Sequence, residues 1–174
     1  IRRTSIPDEQ ILSVTQETRV FAGTLRENLT LAAPDAGDED ILGGLRDLGA
    51  GNLVSGCPAG LDTRIGHAGH QLSPAATQQL ALARVYLARP RLTILDEATA
   101  EADSADATGL EASARAAIRD RTALVVAHRL SQAAECDHII VLDRGNIVEQ
   151  GSHEELLALG GRYADLWRMW STNR

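Results

Sequence analysis

The sequence predicts an α/β layer fold whose first half is mainly helical, and three observations predict it. After Arg89-Pro90, apolar runs at 92–95 and 123–127 alternate with helical spacing at about 105–118, the pattern of a sheet covered by helices. Before that point, Ile41, Leu42, Leu45 and Leu48 recur at intervals of three and four, the period of an amphipathic helix. A length of 174 residues and an apolar content of 44% suit one domain that buries a core.

Each element has its own reason. Ile11-Leu12-Ser13-Val14-Thr15 reads as a short strand ending at Gln16. Thr24, with Glu27 three residues on, has capping-box spacing and opens a helix over 24–31. Pro34 and Gly37 mark a loop, and the amphipathic helix follows over 38–48. Residues 49–69 are glycine-rich and predict irregular chain. Ser73-Pro74 puts serine at an N-cap and proline at the first helical position. That helix runs to about Ala88, with Leu80, Ala83, Arg84 and Leu87 on one side.

The next strands end at Asp96-Glu97 and at His128-Arg129. Runs at 138–142 and 147–150 flank Asp143-Arg144-Gly145-Asn146 and predict a hairpin. Ser152 and Glu155 repeat the capping-box spacing, and Gly160-Gly161 break the helix they open. Beyond the break, Tyr163, Leu166, Trp167 and Trp170 share one helical face, read as packing against a neighbour.

Composition narrows the chemistry. All 17 strongly basic side chains are arginine, against 24 Asp plus Glu, a net charge of −7. An acidic chain with five aromatics does not grip nucleic acid by phosphate neutralisation and base stacking. Without lysine there is no Schiff-base lysine, no lysine general base and no GxxxxGK[ST] phosphate loop in these residues. Cys57 and Cys136 fit no metal or redox spacing and suit a reducing compartment. No apolar run approaches the roughly 20 residues that span a bilayer. The Ala- and Arg-rich, lysine-free composition matches high-GC bacterial coding.

Three strand ends carry chemistry-bearing residues. The run 92–95 delivers Asp96 and Glu97 to a carboxyl edge, where open α/β sheets place ligands. In phosphoryl transfer one such carboxylate holds magnesium and a second orients or deprotonates the attacking water. His128 ends the next strand, one helical crossover away, and Gln16 ends the first. Taken singly, these residues equally describe a strand entering a solvated turn, a capped histidine and a surface amide.

Their order and setting resemble the nucleotide-binding domain of ATP-binding cassette (ABC) transporters of the exporter type. Val14-Thr15-Gln16-Glu17 through Phe21-Ala22-Gly23-Thr24-Leu25-Arg26-Glu27-Asn28 is similar to the Q-loop and its exporter-type continuation. Leu72-Ser73-Pro74-Ala75-Ala76-Thr77-Gln78-Gln79 is similar to the LSGGQ signature and its helix. Ile94-Leu95-Asp96-Glu97-Ala98-Thr99 resembles Walker B, residues 100–103 the D-loop, and Val126-Ala127-His128-Arg129 the H-loop. Glu149-Gln150-Gly151-Ser152-His153-Glu154-Glu155-Leu156 resembles the closing pattern.

The resemblance implies an incomplete P-loop NTPase core with a helical subdomain, with ATP and Mg2+ as cofactors. It implies that Asp96 holds the magnesium shell, with Gln16 linking metal and attacking water to the membrane domain. Glu97 is then the catalytic carboxylate, and His128 contacts the γ-phosphate. Asp103 faces a second nucleotide-binding domain, whose nucleotide meets Ser73 and Ala75. Residues 1–24 are expected to be the Q-loop part of the core, 25–89 the helical subdomain against transmembrane domains, and 90–174 the rest of the core. The location implied is the cytoplasmic face of a bacterial inner membrane.

The sequence departs from the family pattern in two places. Walker A and the adenine-stacking loop are absent, so the chain, which begins at Ile1, is expected to be a truncated piece. Alone, it is expected neither to bind ATP tightly nor to hydrolyse it, with strand edges unpaired and apolar sheet faces uncovered. In the signature, Pro74 and Ala75 replace glycines and Ala76 replaces glutamine. Proline removes one N–H, and alanine adds a Cβ where a phosphate must come close. His67 stands where exporters carry glutamate. These departures fit an asymmetric exporter with one degenerate site, paired with a non-identical partner of intact signature. The alternatives are a non-hydrolytic nucleotide-dependent dimerisation module and a soluble ABC-type ATPase acting on DNA or ribosomes.

Overall fold

A computed structural model describes residues 10–15, 17–96, 104–127 and 129–172, with the backbone alone at 104–107. The chain divides into two compact units, Ile1–Val126 and Ala127–Arg174.

The first unit runs β1 (Ile11–Val14), β2 (Gly23–Thr24), α1 (Leu25–Leu29), α2 (Asp38–Asp47), α3 (Asn52–Ser55) and β3 (Arg64–Ile65). It continues through α4 (Pro74–Ala88), β4 (Leu92–Asp96), α5 (Ser104–Ile118) and β5 (Ala123–Val126). Strands β1, β4 and β5 form a parallel sheet with β4 in the centre. Parallel strands need a covered crossover, and α5 supplies the one between β4 and β5.

Side chains alternate across a strand, so Val14, Leu95 and Val125, paired in register, share one face. That face meets Leu80, Leu82 and Val85 of α4 and Leu110, Ala114 and Ala117 of α5 in the main core. On the opposite face Leu124 and Val126 are 53% and 45% exposed. The expected uncovered apolar sheet face is present at these two residues.

Local sequence accounts for the helix starts. The Thr24 hydroxyl accepts the Glu27 N–H at 3.1 Å while the Glu27 carboxylate accepts the Thr24 N–H at 2.7 Å, the predicted capping box. Helix α4 starts as predicted, with Ser73 at the N-cap and Pro74 at the first position. Its burial differs from the prediction: Gln78, Gln79, Leu80, Ala81, Leu82, Ala83 and Val85 are all buried. A helix covered from several sides carries no one-sided stripe. The stripe of α2 holds for Ile41, Leu45 and the following Leu48, but Leu42 turns outward.

The stretch 49–69 is more ordered than its glycines predict. It holds α3, a 3-10 turn at Gly60–Asp62 and β3, and Leu53, Cys57, Leu61 and Ile65 enter the core. Strand β3 pairs antiparallel with β2, Gly23 opposite Ile65. Gly66, at φ +83°, allows this pairing, because a Cβ there would lie 2.7 Å from the Phe21 carbonyl oxygen.

The second unit holds α6 (Leu130–Ala134), β6 (Ile139–Asp143), β7 (Asn146–Gly151), α7 (His153–Leu159) and α8 (Arg162–Thr172). The predicted hairpin is β6–β7. Its two-residue turn is Arg144-Gly145, both at positive φ, as a type I′ turn requires. Asn146, predicted in the turn, is the first residue of β7. Ile139, Leu156 and Tyr163 form a small core, flanked by Leu130, Val141, Leu157 and Trp167. The predicted aromatic face divides: Tyr163 is buried and bonds His153 Nδ1 through its hydroxyl at 2.7 Å, whereas Leu166 is exposed.

Candidate functional site

Because β1, β4 and β5 run parallel, their carboxyl ends lie at one edge of the sheet. Val14 pairs with Leu95, and Asp96 pairs with Val126. Gln16 follows Val14 by two residues, Glu97 follows Asp96 directly, and His128 follows Val126 by two. The topology therefore brings the exits of all three motif-bearing strands side by side. Gln16, Glu97, His128 and the D-loop Asp103 themselves lie outside the described residues. Asp96 is the last residue of β4 and is exposed, so its carboxylate is available as a hard oxygen ligand of the kind Mg2+ takes. Among the described residues no group of three His, Cys, Asp or Glu side chains converges as a metal site.

The second predicted contact surface is the N-terminus of α4. Ser73 is exposed, and its hydroxyl oxygen accepts the Ala76 N–H at 3.2 Å. The Ser73 carbonyl accepts the Thr77 N–H at 2.9 Å, and Pro74 has no N–H. Capping thus leaves the Ala75 amide and the Ser73 O–H as donors at this helix end. Such an end favours an anion, but with fewer donors than a glycine loop presents. The residues present fit part of an ATP site: an exposed carboxylate of the type that takes Mg2+ and a reduced anion-facing helix end, without a phosphate-loop lysine.

A side-chain network escaped the sequence reading. Arg84, in the last third of α4, donates from Nε to the Asn28 carbonyl at 2.7 Å and from Nη1 to the Arg19 carbonyl at 2.8 Å. Its Nη2 donates to Asn28 Oδ1 at 2.8 Å. Asn28, 2% exposed, also accepts the Phe21 N–H and donates to the Phe21 and Thr24 carbonyls. Burial lowers the Arg84 pKa from its ordinary value. The asparagine's position in a short capped helix gave no sign of this role, because its partners lie up to 56 residues away.

A cavity of about 600 Å³ lies elsewhere in the first unit, lined by Asp35, Glu39, Asp40, Asp47, Tyr86 and Arg89 among others. Of the sequence-predicted site residues that are described, Asp96, Ser73 and Ala75 do not line it. Among the described residues no helix is long and apolar enough to cross a membrane.

Known proteins match this arrangement. The family model described as ABC transporter matches residues 2–100. The ABC transporter ATP-binding protein YknV of Bacillus subtilis is 40% identical over 157 residues, 90% of this chain and 26% of that protein. A Staphylococcus aureus protein, named for multidrug export as an ATP-binding/permease protein, is 38% identical over 158 residues, 91% of this chain and 27% of its own. A solved bacterial Atm1-family ABC exporter with ATP bound superposes with a TM-score of 0.78 at 31% identity, over 93% of this chain and 28% of that one. The chain thus spans about a quarter of the length of these relatives. The fold is the α/β fold of an ABC exporter's nucleotide-binding domain. With more than half of its length matched by the family model, the chain belongs to the ABC transporter family.

Proposed function

We propose that this chain is the water-activating and coupling part of the ATPase domain of an ABC exporter, driving transport across the cytoplasmic membrane of a bacterium. The observation that carries this reading is the common edge at which β1, β4 and β5 end, ahead of Gln16, Asp96-Glu97 and His128. In it, 25–89 is the helical subdomain resting on transmembrane domains, between core segments 1–24 and 90–174. The exporter relatives, the acidic charge of −7 and the exporter-like segment 21–28 support this over a soluble ATPase acting on nucleic acid.

Bound Mg-ATP supplies a metal-neutralised phosphoryl group open to attack by water. Asp96 would hold the metal's water shell, and Gln16 would link metal and attacking water to the membrane domain. Glu97 would orient the attacking water and take its proton, and His128 would contact the γ-phosphate. The phosphate-loop lysine comes from outside these 174 residues. Asp103 faces the second nucleotide-binding domain, and Ser73 and Ala75 face that domain's nucleotide.

The pair is asymmetric in this reading. The capped, proline-bearing start of α4 serves one site poorly, while Glu97 and His128 serve the other opposite an intact partner signature. In the full-length transporter with its partner domain, Glu97→Gln should abolish most ATP turnover, whereas replacing Ala76 should change it little. Equal and complete loss from both substitutions overturns the asymmetry. The chain alone should show no micromolar Mg-ATP binding by calorimetry, and a clear micromolar isotherm overturns that.

One observation favours a second reading, a non-hydrolytic dimerisation module: the reduced donor set at Ser73-Pro74-Ala75. It requires Glu97→Gln to leave turnover unchanged while dimerisation still depends on nucleotide.

A further inference from the structure

The geometry points to Arg84 and Asn28 as a positioning clamp that makes the segment following Gln16 and the signature helix α4 answer nucleotide as one body. This rests on the ATP-dependent reading of α4 above and goes beyond the roles of the motif residues.

Among the described residues between β1 and α1, only the two of β2 belong to a regular element. Three side chains hold it. The planar fork of Arg84 takes the Arg19 carbonyl, the Asn28 carbonyl and Asn28 Oδ1 at once, all within 2.8 Å. Its guanidinium carbon also sits 5.7 Å from the centre of the Phe21 ring, within cation–π range. The Asn28 amide spends its full capacity, Oδ1 accepting from Phe21 and Arg84, Nδ2 donating to the Phe21 and Thr24 carbonyls. Six residues before Arg84, the Gln78 side chain accepts the Thr18 hydroxyl at 3.1 Å. The segment is therefore gripped by α4 at two points along its length.

The two bodies joined in this way carry function at their ends. Arg19 lies three residues after Gln16, and Ser73 caps the same 15-residue helix that carries Gln78 and Arg84. A displacement of the Ser73 end passes along a rigid helix to the clamp and from there to the chain leaving Gln16. Charge-assisted bonds are about twice as strong as neutral ones. A guanidinium fork reaches three oxygens that a lysine ammonium cannot reach together. Energetic coupling requires a measured joint response rather than proximity.

Amide hydrogen exchange on the full-length protein, with and without Mg-ATP, reads that response. In the natural sequence, Mg-ATP should slow exchange at 74–88 and at 18–28 together. Arg84→Lys should keep the response at 74–88, lose it at 18–28, and raise basal exchange near Phe21 roughly tenfold. Asn28→Ser should uncouple the two segments in the same way. A response at 18–28 that survives in both variants overturns the clamp. If Arg84→Lys loses protection throughout, Asn28→Ser decides; loss throughout in both makes the pair a folding element and overturns the coupling role. A natural sequence whose 74–88 amides ignore Mg-ATP overturns the ATP reading itself, and this inference with it.

Discussion

The Glu149 carboxylate accepts the backbone N–H of Tyr163 at 3.0 Å and that of Arg162 beside it. Strand β7 thus caps helix α8 with a side chain from outside the helix, filling donors that every helix start leaves open. Gly161 keeps the space open, because a Cβ there would run into that carboxylate. Glu149→Ala should cost about 1–2 kcal/mol, and Gly161→Ala should destabilise the same helix start by displacing the cap. Hydrogen exchange in the full chain should show faster exchange at 162–165 in both variants. Unchanged rates there would show that the cap contributes nothing.

A second cross-chain bond ties α5 to the end of α2. Ser113, 1% exposed, donates its hydroxyl to the Leu48 carbonyl at 2.6 Å. Ser113→Ala leaves that carbonyl without this partner, at a cost of about 1–3 kcal/mol. The urea midpoint should fall while the slope stays constant. A midpoint matching the parent's would mean that water or a neighbour replaces the bond.

The start of α7 should respond to acid. The Glu155 carboxyl lies below its ordinary pKa, chiefly because its charged form accepts the Ser152 N–H at 2.8 Å and secondarily because of the Ser152 hydroxyl. A carboxyl depressed by folding stabilises above its unfolded pKa, and that contribution is lost as pH falls through the folded value. The Ser152 amide should therefore lose protection below the ordinary glutamate range. Glu155→Gln should flatten this dependence, and a profile with the same acid limb would assign it to another group.

The two thiols should be slow nucleophiles. Burial raises the Cys57 pKa against a small opposing hydrogen bond with Thr63. Burial also raises that of Cys136, reinforced by Asp137 and Glu135. A raised pKa leaves less thiolate near neutral pH, so alkylation should lag that of the unfolded chain. As pH rises, Cys136, half-buried, should react before the buried Cys57. Mass spectrometry of iodoacetamide adducts would detect the opposite order.

Legibility followed range along the chain. Ser73-Pro74, Thr24/Glu27 and Ser152/Glu155 predicted helix starts because a capping bond joins residues three apart. The alternation after Arg89 predicted the α/β layer because strand and helix periods differ. Strands β2 and β3 were missed because two residues carry no period. The all-round burial of α4 was missed because alanines and glutamines take their environment from their neighbours. Of the candidate site, residue identities, strand ends and the single crossover that sets the ends of β4 and β5 at one edge were readable in sequence; the place of β1 beside β4 was not.

By itself, then, the sequence determined the kinds of element, their caps, the motif order, and the lack of any lysine to hold a phosphate within these residues. Tertiary structure alone decided that β1 lies beside β4, pairing Ile11 with Leu92, and that Gly66 sits under the Phe21 carbonyl. It also decided that Arg84 holds the backbone at Arg19. The physical reason is that a cap or a periodic face is set by residues within a turn of one another. Strand order, close approach and a buried hydrogen-bond network depend on which distant backbones meet, and no local spacing encodes that.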